Sequence, residues 1–137
     1  MIPAIRIAAI EALPDDYLTR GDFGFTIRCY ALPQFDTPVD SWPTRPVAPF
    51  RKQYPLAPFA NEDSATFLAY RQDQAVGHIT LSKNWNGYTL IDEIAVSAHA
   101  RRQGIAGALL DCAKQWARQQ ETSGMMLETQ NNNLAAC

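Results

Sequence analysis

The sequence has little that would tie it to a membrane, a nucleic acid or a metal. No stretch approaches the roughly 20 consecutive apolar residues that span a bilayer, so no transmembrane helix is expected. The start, Met1-Ile2-Pro3-Ala4-Ile5-Arg6, has no basic cluster ahead of a long apolar run, and no secretory leader is read there. Formal net charge is only -2 over 137 residues, which gives no basic surface for a phosphate backbone. No nucleic-acid or membrane partner is therefore expected. Cysteine is scarce and odd in number. Cys29, Cys112 and Cys137 have no CxxC spacing, which argues against a disulfide framework and a zinc site and points to a reducing compartment, the cytoplasm. Proline is absent beyond Pro58, and seven of the nine prolines lie between Pro33 and Pro58.

What is present fits one globular domain, residues 1–137, with 47% apolar and 19% charged residues. The proline distribution splits it into an N-terminal region, 1–64, and a more regular core, 65–137. Residues 23–30 have strand composition. Leu32 to Asp63, punctuated by Pro and Asp, reads as irregular loop with room for a functional loop or a short helix. Strands are expected over 65–71 and 75–81, joined by a hairpin at Gln72-Asp73-Gln74. Asn84-Trp85-Asn86-Gly87 marks a turn, and a third strand runs from Tyr88 to Val96. From Gly104 to Gln119 apolar residues recur at helical spacing. Ile105, Leu109, Cys112 and Trp116 form one row, and Ala106, Leu110, Ala113 and Ala117 the next. Met125 to Thr129 is a last strand, expected parallel to the third because a helix joins them. The fold class is mixed α/β.

Between the third strand and the helix lies Arg101-Arg102-Gln103-Gly104-Ile105-Ala106-Gly107. Glycines allow a ligand close to the backbone. The first helical turn offers unpaired N–H donors and a partial positive charge, and two arginines add forked donors. This is an anion site at a helix N-terminus, suited to a pyrophosphate; an ordinary helix start is the bland alternative.

These residues resemble the Gcn5-related N-acetyltransferases. That family's loop reads Gln or Arg, two residues, Gly, one residue, then Gly or Ala, and Arg101, Gly104 and Ala106 fill those places. Ile91-Asp92-Glu93-Ile94-Ala95-Val96 resembles the strand before the loop. Leu127-Glu128-Thr129-Gln130-Asn131-Asn132-Asn133 resembles the next strand and its exit. Within the family, Phe50-Arg51-Lys52-Gln53-Tyr54, Trp85-Asn86, Ala113-Lys114-Gln115-Trp116-Ala117 and Leu127-Glu128-Thr129-Gln130 are similar to segments of the streptothricin acetyltransferases. The resemblance implies acetyl coenzyme A as cosubstrate, with no metal. Its pyrophosphate would lie on Arg101 to Gly107, and its pantetheine arm on the main chain of Ile94, Ala95 and Val96 and on Asn133. It implies acetyl transfer to a primary amine, of streptothricin type, hence antibiotic resistance. Another amine acceptor (a polyamine, an aminoglycoside, a protein N-terminus) and a coenzyme A-binding remnant without turnover stay open. The resembled fold continues beyond Asn133 with a helix and two strands, and that helix supplies a tyrosine that protonates the leaving thiolate. The sequence ends at Cys137, so the expectation is a truncated form that pairs with itself as a homodimer.

Asp92 and Glu93 are the candidate bases. By strict alternation Asp92 shares a face with Leu90 and Ile94, and Glu93 with Ile91 and Ala95. The family often has its base at the position of Asp92; Glu93 is the alternative, and at least one of the two belongs to a solvated face. Trp85 and Tyr88 are candidates for a substrate cleft or for core and turn packing. Glu128 is a substrate-side or a surface carboxylate. His78 and His99, far apart, are read as neither metal ligands nor bases, and Trp116 as core.

Overall fold

The computed structural model describes residues 4–54, 56, 61–130 and 133; Asn131, Asn132 and Cys137 lie outside the described residues. The chain forms two compact units: Met1–Phe23 with Pro55–Leu127, and Gly24–Tyr54 with Glu128–Cys137.

The first unit is a five-stranded mixed sheet. Its strands are β1 (Ile5–Ile10), β4 (Ser64–Arg71), β5 (Gln74–Lys83), β6 (Thr89–Val96) and β7 (Met125–Leu127), neighbours in that order. Sequence reading misses β1 and the one-turn helix α1 (Tyr17–Arg20). β1 alternates weakly, because Ala8 and Ala9 break the apolar–polar rhythm; it runs antiparallel to β4, with Ile5 opposite Arg71. β4 and β5 form the expected hairpin. Gln72 and Asp73 both have positive φ, 50° and 62°, the twist a two-residue hairpin loop requires. Gly87 (φ 85°) closes the β5–β6 turn, where the Asn84 amide donates to the Tyr88 carbonyl at 2.8 Å. β6 and β7 are parallel, Thr89 beside Met125 and Ile91 beside Leu127, as the intervening helix α2 (Ile105–Gln119) demands.

α2 covers one face of this sheet. Ile105, Leu109, Ala113 and Trp116 pack with Val76, Ile79, Leu81 and Ile91. Ala106 is exposed, not part of the apolar face expected of it, because in the first turn Ile105 takes the buried side and the next residue is rotated away from the sheet. The opposite face carries a smaller cluster of Tyr17, Phe23 and Leu68. The helix sits close: a Cβ on Gly77 would lie 3.0 Å from the Ala95 carbonyl oxygen and 3.2 Å from Ile105 Cγ2.

The second unit is a two-stranded antiparallel sheet, β2 (Phe25–Ala31) and β3 (Thr44–Lys52). β3 corrects the irregular-loop reading of Leu32 to Asp63; only a single 3-10 turn, Val39–Ser41, meets the expectation of a short helix. Pro46 and Pro49 are tolerated because the strand is never central and because it bulges. Between the Ile27–Phe50 and Cys29–Pro46 pairs the register shifts, so Arg28 alone faces Val47, Ala48 and Pro49.

Gly77→Val tests the closeness of α2. The added side chain meets a backbone oxygen that cannot withdraw, so a loss of about 1–3 kcal/mol is expected in urea unfolding; unchanged stability would mean that the helix can lift.

Candidate active site

The site is organised by an irregularity in β6. Thr80 pairs with Glu93 and Leu81 with Ile91, so Asp92 has no residue opposite it. The extra residue is a β-bulge, and it resets the alternation. Ile91 and Ile94 both pack toward α2, while Ala95 joins the Tyr17–Phe23–Leu68 cluster on the other face. Glu93, opposite Thr80, takes that other face too. The face assignment read from strict alternation is therefore corrected: Asp92 is exposed at the bulge, and Glu93 is half-buried with Ala95 but not with Ile91.

Glu93 has a partner that sequence reasoning set aside. Its Oε1 lies 3.8 Å from Nε2 of His78, a ring only 2% exposed. His78 Nδ1 in turn meets the Tyr17 hydroxyl at 2.7 Å. Burial, with a smaller contribution from Tyr70, pushes the Tyr17 phenol far above its ordinary range. The signal for His78 was present in β5, where His78 and Thr80 occupy the strand face opposite Ile79 and Leu81. Tyr17 left no signal, since it depends on a contact 61 residues away.

The same bulge is where β7 parts from β6. Pairing between them ends at Ile91 and Leu127. From Glu93 to Val96 the edge of β6 turned away from β5 has no strand beside it among the described residues, and since the Ser97 amide and Ala95 face β5, the main-chain groups of Ile94 and the Val96 amide face that edge. The end of β6 is pinned. The Ser97 amide donates to the Val76 carbonyl at 2.8 Å, and Ser97 Oγ accepts from the Asp22 amide at 3.0 Å. Ser97 Oγ also lies 2.9 Å from His99 Nδ1, giving His99 a structural place.

The loop then climbs to α2. Arg101 Nε donates to the Val96 carbonyl at 3.0 Å, tying the loop to the strand end. Arg102 (φ 62°) and Gly104 (φ 83°) are left-handed, with Gln103 between them. Alternating handedness of this kind turns successive N–H groups to one side, the arrangement that cups anions. The first helical bond runs from the Ala108 amide to the Gly104 carbonyl at 3.0 Å, and no side chain caps the helix. The amides of Ile105, Ala106 and Gly107 therefore point out of the helix end. No atom lies within 4 Å of where a Cβ would stand on Gly104 or Gly107, so the approach is open.

The other sequence candidates are dispersed. Trp85 is 93% exposed at the hairpin tip and belongs to no core. Tyr88 is partly exposed, its ring 3.5 Å from where a Cβ on Gly124 would stand. Both lie at the far end of β6 from Val96, roughly 25 Å along the strand at 3.3 Å per residue. Glu128 and Asn133 belong to the second unit; Glu128 is exposed, and the Asn133 amide donates to the Gln130 carbonyl at 3.1 Å. In that unit Lys52 Nζ and Tyr54 Oη both donate to Gln130 Oε1, bringing together two of the segments that carry the streptothricin resemblance. Among the described residues no group of three or more His, Cys, Asp and Glu could hold a metal.

Residues 26–137 match the acetyltransferase (GNAT) family. The chain belongs to that family. It is 40% identical over 94 residues to streptothricin acetyltransferase A of Bacillus subtilis (strain 168), covering 65% of this chain and 54% of that protein. It is 42% identical over 94 residues to a streptothricin acetyltransferase of Escherichia coli, covering 69% and 54%. The chain thus spans about half the length of the curated relatives it matches. Among solved structures, a Bacillus anthracis str. Ames protein assigned as a streptothricin acetyltransferase, in complex with acetyl coenzyme A, superimposes with a TM-score of 0.80. The match is 29% identical and covers 98% of this chain and 79% of that one. The mixed sheet, the β6–α2–β7 crossover and the glycine loop are the GNAT fold in this chain.

Within the GNAT loop the two glycines have different duties. Gly104 holds a left-handed conformation, so Gly104→Ala should cost about 1 kcal/mol. Gly107 is in the helix with open space around it, so Gly107→Ala should gain up to about 1 kcal/mol. Chemical unfolding of both variants checks this; equal effects would contradict it.

Proposed function

We propose that this chain moves acetyl from acetyl coenzyme A to a primary amine of a streptothricin-type antibiotic, and so serves antibiotic resistance. One observation carries the reading. The open edge of β6 from Glu93 to Val96 leads, through a loop that Arg101 ties back to Val96, to an uncapped helix N-terminus with two arginines and two unobstructed glycines. A main-chain edge suits the amides of a pantetheine arm, and a helix end suits a pyrophosphate. The acetyl coenzyme A bound in the Bacillus anthracis structure supports the cosubstrate, and the two curated relatives support the acceptor.

In this reading Arg101, Arg102 and the amides from Gln103 to Gly107 hold the phosphates. Ile94, Ala95 and Val96 guide the pantetheine arm, to which Asn133 is a further candidate. Glu93 is the base: it takes a proton from the acceptor ammonium, directly or through water, so an N–H bond breaks and a carboxyl O–H forms. The freed amine attacks the thioester carbon, the N–C bond forms and the C–S bond breaks, and the proton that the acylated nitrogen sheds passes to the departing thiolate, so coenzyme A leaves as the thiol. A main-chain N–H at the strand end, at or near Val96, would polarise the thioester carbonyl. Asp92, exposed at the bulge, is better placed to attract a cationic acceptor than to take its proton. Trp85, Tyr88 and Glu128 are candidates for contacts with the acceptor. A cytoplasmic setting is part of the proposal, in keeping with the free thiols of Cys29 and Cys112. So is pairing with a second copy, for which the three-residue β7 is the outermost strand of its sheet among the described residues.

Thiol release from acetyl coenzyme A, measured across a panel of amines, tests the reading. Streptothricin should be the preferred acceptor, and Glu93→Gln should lower turnover by roughly two orders of magnitude, with Asp92→Asn milder. Gly107→Asp should weaken acetyl coenzyme A at least tenfold by calorimetry, about 1.4 kcal/mol. Turnover with an unrelated amine alone would overturn the acceptor, and unchanged cosubstrate affinity in Gly107→Asp would overturn the loop assignment.

A further inference from the structure

A polar chain runs from Glu93 into the sheet face away from α2, and nothing in the transfer of an acetyl group requires it. Three residues from three elements form it: Tyr17 on α1, His78 on β5 and Glu93 on β6. Its middle member is costly. His78 Nε2 is buried and has no hydrogen-bond partner among the described residues. A buried polar atom left so has lost its water without a replacement, which destabilises the fold. A leucine or phenylalanine would fill the same slot between Tyr17 and Phe23, whose ring centroids lie 5.6 Å and 5.2 Å from that of His78.

We propose that His78 and Tyr17 are positioning residues for Glu93: Tyr17 fixes the tautomer of His78, and His78 fixes the orientation of the carboxylate. This rests on Glu93 as the base.

The backbone sets the geometry first. Glu93 stands opposite Thr80, and His78 stands opposite Ala95, so His78 and Glu93 are diagonal neighbours on one face of an antiparallel pair. That neighbourhood exists only because the bulge at Asp92 turns Glu93 to this face. The proton inventory follows. The Tyr17 phenol is kept protonated by its burial and stands 2.7 Å from His78 Nδ1, and in the proposal it is the donor of that pair. A neutral ring that accepts at Nδ1 carries its own proton on Nε2. That N–H is turned to Glu93 Oε1. The separation of 3.8 Å is longer than a hydrogen bond, and a small rotation of the carboxylate, or one bridging water, closes it. With Oε1 engaged, Oε2 is the oxygen left to take the proton of the acceptor. Tyr17 and His78 keep theirs throughout, so the proton balance of the transfer is unchanged. Tyr70 bears on Tyr17 from β4, and Glu93 bears on His78 from β6.

α1 is built for this task. It has four residues, its N-cap Asp16 is strained into a left-handed φ of 62°, and Tyr17 is its only buried residue. So short a helix has no stability of its own; packing of Tyr17 and Leu18 on the Phe23–Leu68 cluster holds it, with the Tyr17 hydroxyl at His78.

Nitrogen-15 NMR of the imidazole rings reads the chain without relying on turnover. The His78 ring should be protonated on Nε2. Its Nε2–H resonance should move in Glu93→Gln and stay in place in Asp92→Asn. An Nδ1-protonated ring, or an indifferent response to Glu93→Gln, would overturn the proposal. Thiol release adds the kinetic arm. His78→Phe, which keeps the ring volume, should lower kcat about tenfold while leaving the acetyl coenzyme A affinity within twofold. His78→Gln, whose amide nitrogen can replace Nε2–H, should recover most of that loss. Should His78→Phe not fold, Tyr17→Phe removes a single oxygen and should shift the ring away from the pure Nε2–H tautomer. If Glu93→Gln keeps full turnover, the base assignment fails. If Glu93→Gln is crippled but His78→Phe is not, only the positioning role fails.

Discussion

One extra residue in β6 sets the terms for everything around it. Without the bulge at Asp92, Ile91 and Ile94 would face opposite sides of the sheet, and α2 would lose one of the two isoleucines it packs against. With it, both face the helix, and the residue between them that is not bulged, Glu93, is turned to the other side. The bulge also coincides with the point where β7 leaves β6. A single irregularity thus supplies a helix-packing face, a half-buried carboxylate and an open length of main chain. A regular strand cannot supply all three.

The end proposed to bind phosphate depends on how closely α2 approaches the sheet. Gly77 is the contact that permits it, with no side chain between β5 and the Ile105–Leu109 side of the helix. That contact fixes where the first turn of α2 stands relative to the end of β6, and Arg101 ties the connecting loop to Val96. The N–H groups of the first turn have no acceptor within the helix, which is why the turn suits a ligand that brings oxygens. Stability and binding meet in these few residues. Gly104 holds the backbone in a conformation that other residues resist, and Gly107 gives up helix propensity for open space.

Where the physics is local, the sequence was legible. The β4–β5 hairpin, the Asn-Gly turn, α2 and its glycine loop, and the parallel β6–β7 pair all follow from periodicity and turn chemistry within a few residues of one another. The parts that failed are those decided at a distance. Period-two reasoning put Asp92 on the wrong footing because a bulge is fixed by the partner strand, not by the strand itself. Pro46 and Pro49 suggested loop, because proline breaks a central strand, and nothing local says that β3 pairs with only one neighbour and bulges opposite Arg28. The apolar spacing of Ala106 matched the helix face, yet Ile105 beside it takes the buried side of that turn. His78 was visible as a polar residue in an apolar strand, but its meaning needed Tyr17, which comes from an element too short to leave a pattern.

The central claim is that the end of β6 and the first turn of α2 form one acetyl coenzyme A site. Amide chemical shifts followed during titration with acetyl coenzyme A test it most directly. The account predicts that the largest changes fall on Ile94 to Val96 and on Arg101 to Ala108, with the β5–β6 hairpin tip around Trp85 left undisturbed. Saturable binding that leaves the Gln103–Gly107 amides in place and perturbs another region would contradict it.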